Sequence, residues 1–101
     1  MVIDINLKRM RKSADQAADL MKVLGNRDRM MLLCEINQGE RCVSELEELL
    51  EIHQPTLSQQ LTVLRKKKLV KTRREGKQIY YSASSPIAMS VMALLYQNYC
   101  K

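Results

Sequence analysis

The side chains with the most distinctive chemistry are three cysteines, Cys34, Cys42 and Cys100, and a single histidine, His53. Three thiols are too few and too widely spaced for a disulfide-stapled secreted scaffold, and an odd number leaves one unpaired. In a reducing compartment they serve as packing residues, metal ligands or redox groups. Tetrahedral zinc asks for about four nitrogen or sulfur donors, which are not present at useful spacing, so no metal or other cofactor is expected. Soft thiophilic ions or arsenite could still take Cys34, Cys42 and Cys100 together if dimerisation gathered them, and a dithiol can answer a general oxidant. An enzyme is not expected: there is no Cys-x-x-Cys, no glycine-rich loop beside a cysteine and no histidine close in sequence to one.

The second source of chemistry is charge. The 101 residues carry a formal charge of +6, and residues 54–81 hold eight basic side chains against one acidic. A basic excess confined to one stretch suits phosphate neutralisation, because each cation near a nucleic-acid backbone releases condensed counterions. The aromatic residues are four Tyr, without Trp or Phe, which removes the stacking platforms of single-strand and RNA binders and leaves double-stranded DNA as the partner. With neither a leader-like start nor a run of about 18 apolar residues, the expectation is a cytoplasmic protein without a membrane partner.

These groups must be held by helices. Ala14, Ala17, Ala18, Leu20, Met21 and Leu24 recur at helical spacing over 8–24 and stop at Gly25-Asn26. A second helix, 27–38, is apolar nearly all round and should be the most buried. Ser44-Glu45-Leu46-Glu47 has the form of a capping box for a third helix, and Glu51-Ile52-His53 breaks into a fourth over 54–67, with Pro55 in its first turn. Two short helices joined by a tight turn are a helix-turn-helix candidate over 43–67.

The fourth helix buries Leu57, Leu61 and Leu64, so its opposite face presents Ser58, Gln59, Thr62 and Lys66, with Gln54 and Thr56 in the first turn. Short hydrogen-bonding side chains framed by cations are what base reading in a major groove requires. Residues 70–82 alternate, turn at Glu75-Gly76-Lys77 and alternate back, a β-hairpin wing whose Arg73, Arg74 and Lys77 suit a phosphate backbone or a minor groove. His53, in the preceding turn, is expected to cap or to touch phosphate. A last helix starts at Ser84-Ser85-Pro86 and shows two apolar stripes, Ile87/Val91/Leu94 with Leu95 and Met89/Met92/Tyr96 with Tyr99. One core can use only one of them, so the other is expected to pack, with the first helix, against a second copy. The expected architecture is mainly α with a small β-hairpin: a single winged helix-turn-helix domain over 1–101, homodimeric through its first and last helices.

With these elements in place, the sequence resembles the ArsR/SmtB family of bacterial winged-helix repressors over essentially its whole length. The resemblance is carried by Leu24-Gly25-Asn26-Arg27-Asp28-Arg29, Val43-Ser44-Glu45-Leu46, Gln54-Pro55-Thr56-Leu57-Ser58-Gln59-Gln60-Leu61, Leu64-Arg65, Leu69-Val70 and Tyr80-Tyr81. It implies a homodimer that holds operator DNA until an inducer binds. The family's metal sites do not carry over: the final-helix zinc site uses Asp and His, absent from 82–101, and the paired-thiolate Cys-Val-Cys reads Cys42-Val43-Ser44 here. Leu32-Leu33-Cys34 and Tyr96-Gln97-Asn98-Tyr99-Cys100 are similar to the persulfide-sensing branch, the BigR/SqrR group and the HlyU-like regulators. That likeness implies a redox switch of Cys34 and Cys100, in which a persulfide or polysulfide inducer builds a sulfur bridge, typically a tetrasulfide, that weakens operator binding. Cys42 lies outside that pair and is expected to be dispensable.

Overall fold

A computed structural model describes residues 6–100. Along the chain run α1 (Leu7–Leu24), α2 (Arg27–Gln38), β1 (Arg41–Cys42), α3 (Val43–Leu50), α4 (Thr56–Lys66), β2 (Val70–Glu75), β3 (Gln78–Ala83) and α5 (Pro86–Tyr99). Side-chain oxygens start three of the helices: Asn6 accepts from the Arg9 amide, Asn26 from Arg29 and Ser85 from Ala88, each answering a first-turn donor that the helix itself cannot satisfy. Pro86 follows Ser85 at the first helical position, as expected.

α2 is the hub, touching every other helix and β3. Its Leu32, Leu33 and Ile36 meet Val23 and Leu24 of α1, Leu46 of α3, the three leucines of α4, and Ala88 and Met92 of α5 in one buried cluster. It is not buried all round, however: Cys34 is half-buried and Met31 is exposed. Only the last turn of α1 enters the core; Ala14, Ala17, Ala18 and Met21 face solvent in the protomer.

The sheet has one strand more than the expected hairpin, in the antiparallel order β1-β3-β2. Arg41 pairs with Tyr81 and Cys42 with Tyr80, and this pairing changes how α3 begins. Extended residues 41 and 42 lead straight into the helix, so the cap falls on Cys42 and not on Ser44; the box closes through Glu45, whose Oε1 accepts from the Cys42 amide at 3.0 Å. That bond holds the Glu45 carboxyl below the usual carboxylate range.

α4 likewise begins later than expected, at Thr56, with Pro55 at the cap position and Gln54 outside the helix. In α5 the core takes Ala88 and Met92, with Val91 and Leu95 packed alongside, a stripe drawn from both apolar rows that the sequence suggested. The reason is geometric: positions i, i+3, i+4 and i+7 face one way, and Ala88 opens that row. Ile87, Leu94 and Tyr99 are left in solvent at 67%, 60% and 82% exposure.

Candidate nucleic-acid interface and thiol site

Leu57, Leu61 and Leu64, each at most 1% exposed, fix α4 to the body and turn its other face outward. Thr56, Ser58, Gln59, Thr62, Arg65 and Lys66 are all exposed there, as the leucine spacing requires. Among the described residues neither the Ser58 hydroxyl nor the Gln59 amide has a side-chain hydrogen-bond partner. Gln54 and Thr62 are partly engaged. Gln54 Oε1 accepts from the Ser58 amide at 3.0 Å and so caps the helix, leaving its NH2 group free, while Thr62 donates to the Ser58 carbonyl at 2.7 Å and keeps its lone pairs as acceptors.

The wing is exposed along most of β2 and at the tip end of β3, and its two-residue turn places Gly76 at φ +61°, a conformation that L side chains rarely adopt. Arg74 and Lys77 stand at the tip, and among the described residues their one side-chain hydrogen bond is a long 3.4 Å reach from Arg74 Nε to the Gly76 carbonyl. Arg73 differs. Its Nε and Nη2 grip the Glu40 carboxylate at 2.7–2.9 Å, its Nη1 reaches Glu75 at 2.7 Å, and its guanidinium lies 4.6 Å from the Tyr80 ring centre. Hydrogen bonding to Arg73 holds the Glu40 carboxyl below the usual range, and Glu40, then Glu75, push the already high Arg73 value further up. The side chain expected at phosphate is therefore committed within the protomer to bracing the wing against the segment that follows α2. Lys67 is similarly paired, with Asp19 at 3.1 Å.

The thiols of Cys34 and Cys100 are free and line one cleft of about 360 Å³ between α2 and α5. Its other walls are apolar or aromatic, Met30, Met92, Leu95 and Tyr99 among them. Burial pushes the Cys34 thiol up, with smaller contributions from Cys100 and Glu35. Cys100 is exposed at the end of α5. Cys42 is buried in β1, its Sγ 3.2 Å from Ser44 Oγ, and takes no part in the cleft. Among the described residues no three His, Cys, Asp or Glu side chains gather to hold a metal ion, so a protomer does not assemble the three-thiolate alternative. His53 is exposed, 3.7 Å from Glu47; its backbone carbonyl, which accepts from the Leu57 amide, is what helps start α4.

The model of the bacterial regulatory proteins of the arsR family matches residues 26–72, from the start of α2 into the wing. Over 97 residues the chain is 47% identical to the biofilm growth-associated repressor of Agrobacterium fabrum, covering 96% of this chain and 83% of that one. The chain belongs to the ArsR family. The transcriptional activator HlyU of Vibrio cholerae is 37% identical over 97 residues, covering 96% of this chain and 90% of that protein. Its reduced form superposes with a TM-score of 0.89, at 37% identity over 94% of this chain and 100% of that one. The transcriptional repressor BigR of Xylella fastidiosa gives 0.84, at 43% identity over 94% of each chain. This ArsR-family chain is thus a DNA-binding transcriptional regulator of the BigR/HlyU type, not an enzyme, with the winged helix-turn-helix fold that the sequence suggested. No described helix is long and apolar enough to cross a membrane.

Proposed function

We propose that the protein is a dithiol-based transcriptional repressor that binds operator DNA as a homodimer when reduced and is released when a persulfide-derived bridge, a tetrasulfide, joins Cys34 to Cys100. The observation that carries this reading is that two thiols 66 positions apart in the chain, one on α2 and one at the end of α5, share one apolar cleft. Each thiol takes a sulfur atom from a persulfide and releases the donor's thiol. Closing the bridge removes two electrons and two protons, which a third persulfide accepts as it is reduced to thiol and hydrogen sulfide. The bridge ties the end of α5 to α2, which also packs on α4, so a change at the cleft reaches the DNA-reading helix through one element. A coupling of about 1–3 kcal/mol is enough to shift operator occupancy.

Ser58, Gln59 and Thr62, with Gln54 and Thr56 at the helix start, are the base-facing groups, and Lys66, Arg74 and Lys77 meet phosphate, joined by Arg73 once DNA competes with its carboxylates. The second copy is assigned to the uncovered apolar side chains of α1 and α5: Leu7, Met10, Met21, Ile87 and Leu94 are 46–67% exposed in one protomer.

The deciding experiment is intact mass and peptide mapping of the reduced protein after anaerobic treatment with glutathione persulfide, alongside operator binding by fluorescence anisotropy. The expected result is a Cys34-to-Cys100 cross-link with added sulfur and weaker operator binding. An unmodified dithiol, or a bridged protein that binds as before, would overturn the proposal.

A further inference from the structure

α4 is held to the body by buried leucines, and apolar packing is non-directional: it opposes separation better than it fixes rotation about the helix axis. Base reading needs that rotation fixed, because hydrogen bonds weaken steeply as their angle departs from linear. The directional contact is made by Arg29, on the first turn of α2. Its Nε donates to the Val23 carbonyl at 2.6 Å and its Nη2 to the Lys22 carbonyl at 3.2 Å, while Nη1 donates to Gln60 Oε1 on α4 at 2.9 Å. The two carbonyls belong to the last turn of α1, where no intrahelical donor is left and the negative end of the helix dipole faces a cation. One planar fork thereby ties the end of α1, the start of α2 and the middle of α4. The Asp19–Lys67 pair adds a second polar tie between α1 and the residue that ends α4.

We propose that Arg29 is a positioning residue for DNA recognition: through Gln60 it sets the rotation of α4 against α1, and so aims Ser58, Gln59 and Thr62. Gln60 is half-buried and turned toward Arg29, whereas Gln59 beside it is exposed, so the two neighbouring glutamines divide into an anchor and a reader. The inference rests on α4 being the base-reading helix.

The test uses full-length protein, a duplex selected by the wild type from a random-sequence pool, and a scrambled duplex of equal length. The quantity followed is the ratio of the two affinities, because a merely destabilising change lowers both together. Gln60→Met removes the acceptor at nearly constant volume, and Arg29→Lys cannot span three acceptors; each is expected to lower the ratio about fivefold to tenfold, with scrambled-duplex binding unchanged. Gln60→Glu keeps an acceptor and should retain the ratio, in which any repulsion from the added charge cancels. The double variant Arg29→Lys/Gln60→Met should be no worse than either single change. A wild-type ratio in Gln60→Met, equal losses in Gln60→Met and Gln60→Glu, or additive losses in the double variant would overturn the proposal. Gln59→Ala in the same assay separates the two assignments: if it lowers the ratio while Gln60→Met does not, only the role of Arg29 falls, and if neither lowers it, both fall.

Discussion

α4 and the wing, the two elements proposed to meet DNA, are steadied in different ways. In that reading both must offer polar groups from a fixed position. α4 is fixed by three leucines below it, so the side chains above it are left free. The wing buries only Val70 of β2 and Tyr81 of β3, and is steadied instead by Arg73 between Glu40, Glu75 and the Tyr80 ring. Where a core holds an element, its surface charge stays available for a ligand; where charge does the holding, part of it is withdrawn from that use.

The largest test of this contrast is Leu61→Ala. Removing a buried anchor should cost about 2–5 kcal/mol of stability in denaturant titration. A loss below that range would mean that packing does not hold α4. Next comes Gln59→Ala, expected to cost about 1–3 kcal/mol on operator DNA and little on scrambled sequence, as read by anisotropy; equal losses on both would remove it from base reading. Arg74→Ala should lower affinity on all duplexes and reduce the slope of log K against log salt by about one, while Arg73→Ala should change that slope less. Equal slope changes would show that DNA recruits Arg73 fully from its carboxylates.

The smallest effect is the pH dependence of the Glu40 brace. The folded value of Glu40 lies below its ordinary 4.5, so the unfolded chain binds the proton more readily. The stability it lends is therefore complete above the ordinary value and is lost as pH falls through the folded one. A small gap in melting temperature between wild type and Glu40→Gln should hold from about pH 7 to about pH 5 and close at more acid pH. The absence of a gap at neutral pH would assign the brace to packing of Arg73 on Tyr80.

The helices and the hairpin are legible in the sequence because their signals are local: the stop at Gly25-Asn26, the start at Ser85-Pro86, leucines at i, i+4 and i+7, and alternation around Gly76; that Asn26 also caps the start of α2 emerges only in the fold. The exposed face of α4 follows from its leucines. What the sequence hides depends on distant partners. β1 is two residues long, too short to show alternation, and exists only because Tyr80 and Tyr81 pair with it. The Arg73 brace joins residues far apart in the chain, so Arg73 looks the same as Arg74 in the sequence. Arg29 and Gln60 stand within recognisable motifs, yet nothing local marks one as the other's donor. At the thiol site, sequence supplies both cysteines, and the packing of α5 on α2 supplies the cleft they share.

The uneven burial of α1 has a mechanical consequence. Its 18 residues make a rod of roughly 27 Å, of which only the last turn is seated in the protomer. A rod gripped at one end is a lever whose fulcrum lies beside the Arg29 fork. A tilt of about 5° at that seat carries the far end through roughly 2 Å over such a length. Joined to its twin along the free part, the same lever would run in reverse and turn a small slip between two copies into a reorientation of the seat.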